Sequence, residues 1–69
     1  MSIAKVVEVS SKSKTSFTDA AENAIKEVSK TIKNVKHAWI KDFEIDVQED
    51  GTMVYKANCK ITFIVNTDG

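Results

Sequence analysis

The chain has no proline and no arginine, and only one cysteine, one histidine and two glycines in 69 residues. Each shortage excludes something. A lone Cys59 allows no internal disulfide, and a lone His37 rules out a zinc site built from several Cys or His ligands. The ten basic residues are all lysine and face ten acidic ones. Nucleic-acid binders carry a basic surplus on one face, so no nucleic-acid partner is expected. Without arginine there is also no bidentate recognition of phosphate or base edges. No apolar run approaches the ~20 residues of a membrane span, so no membrane partner is expected. The opening MSIAKVVEVS lacks the long apolar core of a signal peptide. With a free cysteine, this gives a cytoplasmic location as the expectation. There is no GxSxG, no Gly-rich phosphate loop and no HExxH. One histidine with no nucleophile placed beside it is not a catalytic pair, so the chain is read as a non-enzyme.

What is present is a single domain, residues 1–69, with a hydrophobic fraction of 42% that marks it as globular rather than disordered. One core in so short a chain contributes no more than ~3–5 kcal/mol of net stability. With disulfide and zinc excluded, oligomerisation is the favoured support. Residues 3–9, IAKVVEV, are β-branched and read as a strand; 10–16, SSKSKTS, read as a polar loop. Ser16 suits a helix N-cap, with Asp19 at the third position of a capping box. Phe17, Ala20, Ala21, Ala24, Ile25, Val28, Ile32 and Val35 then recur at steps of three or four, which predicts one amphipathic helix over 17–33. Asn34 is its expected stop.

From 38 to 48 the period becomes two. Trp39, Phe43, Ile45 and Val47 are placed on one face and Asp42, Glu44 and Asp46 on the other. A second alternating strand covers 53–65, with Met53, Tyr55, Ala57, Cys59, Ile61, Phe63 and Val65 inward. Glu49-Asp50-Gly51 is the turn between them, glycine supplying positive φ. Keeping both apolar faces on one side fixes the register. Val47 then pairs with Met53, Ile45 with Tyr55, Phe43 with Ala57, Glu44 with Lys56, and Asp42 with Asn58. A single helix covers one face of such a sheet. The other, carrying Ala38, Ile40, Val54, Thr62 and Ile64 among its charges, needs partial cover, which again points to assembly.

A strand, a Ser/Thr-rich loop, one helix and a long hairpin in this order resemble the dodecins. The resemblance is carried by KVVEV at 5–9, SFTDAAENAI at 16–25, the helix end from Thr31 to Val35, and YKANCKITF at 55–63. It implies an α+β, β-α-β-β fold whose three-stranded antiparallel sheet partly wraps one amphipathic helix. It further implies twelve copies in a hollow shell, and non-covalent binding of flavin (riboflavin, FMN or FAD) for storage or sequestration. In that family an aromatic residue at the start of the second strand, usually tryptophan, stacks on the flavin ring, and a glutamine on the third strand hydrogen-bonds its polar edge. An ungapped match places His37 and Lys56 at those two positions, with Trp39 two residues beyond His37. Both replacements imply weaker flavin binding. The alternative is a structural or cation-stabilised dodecin variant that has lost the flavin site.

The candidate cofactor-binding residues are therefore His37, Trp39, Glu44 and Lys56. Trp39 is either a stacking surface or a packing residue against the helix end or a neighbouring subunit. His37 either stacks, binds a metal on an assembly axis or senses pH, or it is a solvated residue near the helix C-terminus. Lys56 either meets an anionic ligand edge or simply pairs with Glu44. Asp42, Glu44 and Asp46 either recruit a cation between subunits or form a solvated face. Cys59 is read as a buried, inert small hydrophobe.

Overall fold

The computed structural model describes residues 1–66. Strand β1 (Ser2–Ser13) leads into helix α1 (Phe17–Ser29), followed by strands β2 (Val35–Val47) and β3 (Met53–Asn66). The three strands form one antiparallel sheet in the order β1-β3-β2. The last strand in sequence is thus central, and both others are edges. Among the described residues no helix is long and apolar enough to cross a membrane.

The helix starts where the sequence places it. The Ser16 side chain accepts the Asp19 N–H at 3.0 Å, satisfying one of the donors every helix start leaves unpaired. Behind it, the buried Ser13 hydroxyl donates to Asp19 Oδ2 at 2.6 Å and accepts the Thr15 N–H at 2.9 Å. The end of β1 and the start of α1 therefore share one small polar hub.

Three boundaries differ from the sequence reading, the simplest being the start of β2 at Val35 rather than 38. The helix ends at Ser29 rather than 33. Lys30 and Thr31 bond back three residues, to the carbonyls of Glu27 and Val28, so the last turn tightens and stops. Asn34 reverses the chain with φ of 63°. Ile32 and Val35 continue the helical period because both still lean on the core, one from the connection and the other from β2. The first strand, in turn, runs on to Ser13 rather than stopping at Val9. Ser10 to Ser13 pair with Asn58 to Tyr55 in register, so the long third strand supplies hydrogen-bond partners that local propensity does not reveal.

The core lies between α1 and the middle of β3. Ala20, Ala24 and Val28 on the helix meet Ala57, Cys59 and Ile61. Three alanines let helix and sheet approach closely. At ~1.5 Å per residue the 13-residue helix is about 20 Å long, whereas β3 at ~3.3 Å per residue reaches about 46 Å. The chain accordingly measures 55 × 19 × 15 Å, with a radius of gyration of 14.4 Å, against about 11 Å for a compact chain of this length. At the helix N-terminus, Phe17 touches Phe43 and Tyr55 at ring-centroid distances of 4.6 and 5.0 Å. Past that cluster Ile45, Val47 and Met53 remain about half exposed or more.

The hairpin follows the expected register, all five pairs included, with Gly51 at φ 88° in its turn. The ladder then shifts between Ile40 and Asp42. Lys41 is an extra residue in β2, and such a bulge exchanges the faces of the residues before it, here His37 to Ile40, until a second shift between Val35 and His37 returns Val35 to the core side. This corrects the placement of Trp39. It lies opposite Lys60, on the face away from the helix, while Ala38 and Ile40 pair with Ile61 and Cys59 and join the core side.

Candidate functional site

The face of the sheet that the helix leaves bare gathers most of the chain's chemistry. On β3 it presents Val54, Lys56, Asn58, Lys60, Thr62 and Ile64. Opposite them β2 sets Asp46, Glu44, Asp42, Trp39 and His37, in that order. On the other flank β1 sets Lys12 opposite Lys56, Ser10 opposite Asn58, Glu8 opposite Lys60 and Val6 opposite Thr62. Alternation brings these residues together: every second side chain of three paired strands shares one surface.

The middle of this face is a hydrogen-bonded row. The Ser10 hydroxyl donates to Asn58 Oδ1, and Asn58 Nδ2 donates to Asp42 Oδ1 and, at 3.0 Å, to Glu44 Oε1. Ion pairs flank the row. Lys56 reaches Glu44 at 3.9 Å, and Lys12 reaches Asp46 at 3.6 Å from the opposite edge strand. The Glu44 Oε1 atom thus holds both Asn58 and Lys56. Each partly exposed ion pair contributes ~0.2–1 kcal/mol at most.

Toward the start of β2 the face becomes aromatic. Trp39 is 61% exposed, and the Lys60 ammonium stands 5.3 Å from its ring centroid, within cation–π range. Lys60 Nζ is also 3.6 Å from Glu8 Oε1, and Lys41 Nζ lies 3.8 Å from the same oxygen. Beside this cluster the bulge opens a shallow cavity of about 310 Å³ lined by Glu8, Val9, Ser10, Lys41, Asp42, Asn58 and Cys59. Burial pushes the Cys59 thiol pKa up, which keeps it protonated and unreactive.

All four residues singled out from sequence lie on this bare face, in two places. Glu44 and Lys56 are paired at one end. Trp39 and the exposed His37 lie toward the other, opposite Lys60 and Thr62. Four residues of β3, about 13 Å, separate the Lys56 and Lys60 rungs. The sequence reading set Asn58 opposite Asp42, as observed, but missed Lys60 and Glu8 as neighbours of Trp39. Strand parity would have found Lys60 had the bulge been recognised. Among the described residues no group of three or more His, Cys, Asp or Glu side chains could hold a metal ion.

Comparison with known proteins places this arrangement in a family. Among solved structures, a protein from Thermus thermophilus matches at 19% identity, covering 99% of this chain and 100% of its own, with a TM-score of 0.89. The calcium dodecin of Mycobacterium tuberculosis, described as having a novel calcium-binding site, matches at 19% identity over 97% of this chain and 96% of its own, TM-score 0.87. A dodecin from Streptomyces coelicolor matches at 16% identity over 97% and 96%, TM-score 0.88. At such identities these likenesses speak for the fold alone. No curated protein sequence matches the chain. The family model for dodecin, however, matches residues 3–66, nearly the whole chain, and with the β-α-β-β order it establishes that this chain belongs to the dodecin family.

Proposed function

We propose that the chain forms a homo-oligomeric shell, a dodecamer as in the dodecins it resembles, that binds flavin (riboflavin, FMN or FAD) non-covalently to store or sequester it. The observation that carries the binding half is Trp39: a large aromatic ring, more than half exposed, on a sheet face with no helix over it. A stacked planar ligand would cover apolar surface and add ~0.5–1.5 kcal/mol of ring–ring interaction. The assembly half is supported by the elongated shape and by half-exposed Phe43, Ile45, Val47 and Met53 on one hairpin. These are features of a subunit whose core is completed by its neighbours.

In this reading Trp39, with His37 beside it, supplies the stacking surface. Lys56, held by Glu44, meets the polar edge of the ring. The separation of the two rungs within one chain means that a second copy would bring its Lys56 to the ring stacked here. Lysine donates hydrogen bonds but cannot accept the ring's N–H as a glutamine would. One missing bond of this kind costs ~1–3 kcal/mol, roughly a ten- to hundredfold loss of affinity.

The cation-stabilised alternative draws on the likeness to a calcium dodecin. It is less favoured, because Asp42, Glu44 and Asp46 are each already engaged by Asn58, Lys56 or Lys12. The test is the double replacement His37→Trp, Lys56→Gln. Flavin should bind the variant at least tenfold more tightly, read from quenching of flavin fluorescence. Binding no tighter than the parent's would remove these positions from the site.

A further inference from the structure

Resting on the flavin reading above, we propose that Lys60 is a specificity-determining residue that makes the Trp39 face prefer planar ligands carrying an anionic group, such as a phosphomonoester, over their neutral analogues. Three observations carry this. The Lys60 ammonium sits over the tryptophan ring itself, 5.3 Å from its centroid, so any group stacked here lies beside a cation. That cation is only partly neutralised, because one carboxylate oxygen, Glu8 Oε1, serves both Lys60 and Lys41, at 3.6 and 3.8 Å. The cavity beside them, lined by Glu8, Lys41, Asp42 and Asn58, is open to solvent and large enough for a polar substituent. The second carboxylate there, Asp42, already accepts the Asn58 amide, and its fixed negative charge sets the side from which an anion would not approach.

The balance at Glu8 decides the preference. Two ammonium groups share one anion. A ligand that brings a second anion gives each lysine its own partner, whereas a neutral ligand brings none and still crowds Lys60 on the ring. An exposed ion pair of this kind is worth about a two- to fivefold change in affinity, and it fades as added salt screens the charges.

The experiment compares FMN with riboflavin, which share the ring and differ in the phosphate, by fluorescence titration at low and high salt. The parent should favour FMN about two- to fivefold at low salt, with the ratio shrinking at high salt. Lys60→Gln should bring the ratio close to one, chiefly by weakening FMN. Glu8→Gln should widen it by removing the competing carboxylate, and this variant decides the matter if Lys60→Gln fails to assemble. Equal affinities in the parent, a ratio untouched by Lys60→Gln, or a ratio narrowed by Glu8→Gln would overturn the proposal while leaving flavin binding intact. If neither flavin is quenched, the flavin reading fails and takes this proposal with it.

Discussion

Replacement of Ile61 by alanine tests whether the core sits where we describe it. Ile61 is fully buried and the largest of the core side chains. It lies on the central strand, between Val7 on β1 and Ala38 on β2, beneath the helix. Its neighbours are held on all sides and can collapse little into the space left behind. Truncation to alanine in such a place costs ~2–5 kcal/mol, and truncation to valine ~0.5–1.5 kcal/mol. A chain of this length has about 3.5–10 kcal/mol in total, and its core contains three alanines and a cysteine. Ile61→Ala should therefore remove about a fifth or more of the stability, and Ile61→Val a small part. The assay is urea unfolding followed by far-ultraviolet circular dichroism at fixed protein concentration, since assembly makes stability concentration-dependent. Thr62→Ala is the control: one residue away, on the opposite face. If Ile61→Ala cost less than about 1 kcal/mol, or no more than Thr62→Ala, the assignment of faces on β3 would be wrong.

Three further outcomes follow from local geometry. Ser13→Ala removes the hydroxyl that joins Asp19 to the end of β1; it should destabilise by ~1–3 kcal/mol in the same urea assay, and Ser13→Thr should restore part of this. Gly51→Ala meets no atom within 4 Å, so its cost is the left-handed backbone alone, ~1–2 kcal/mol, read as a lower unfolding midpoint with an unchanged slope. Cys59, its thiol pKa raised by burial, should react slowly with a thiol-specific dye at pH 8 in the folded protein and promptly in urea; prompt reaction without urea would contradict its burial.

The hairpin shows how much of this structure the sequence discloses. Gly51 and strict alternation from Met53 to Val65 were sufficient to set five cross-strand pairs, because side-chain parity leaves a single register with both apolar faces together. The same reasoning failed at Trp39, and the reason is visible in the string Trp39-Ile40-Lys41-Asp42. Two apolar residues followed by two polar ones break the alternation, which is how a one-residue bulge looks in sequence. Read as noise, it put Trp39 on the apolar face with Phe43, Ile45 and Val47; read as a bulge, it puts Trp39 on the bare face beside Lys60. The helix end at Ser29 was hidden for a different reason. Ile32 and Val35 keep the helical spacing while packing from a connection and a strand, and spacing alone does not separate these cases. The polar second half of β1 was invisible because its partners, Tyr55 to Asn58, lie more than forty residues away. Of the site, sequence supplied the Glu44–Lys56 and Asp42–Asn58 pairs but not the grouping of Trp39 with Lys60 and Glu8, which depends on the bulge and on pairing across three strands.

The most direct test of the account is size-exclusion chromatography with light scattering on protein mixed with excess FMN, recording mass and flavin absorbance together. The account predicts a single peak many times heavier than the 7.7 kDa chain, with flavin absorbance under it and flavin fluorescence quenched. A peak at the mass of one chain, or a large assembly that emerges colourless, would contradict it.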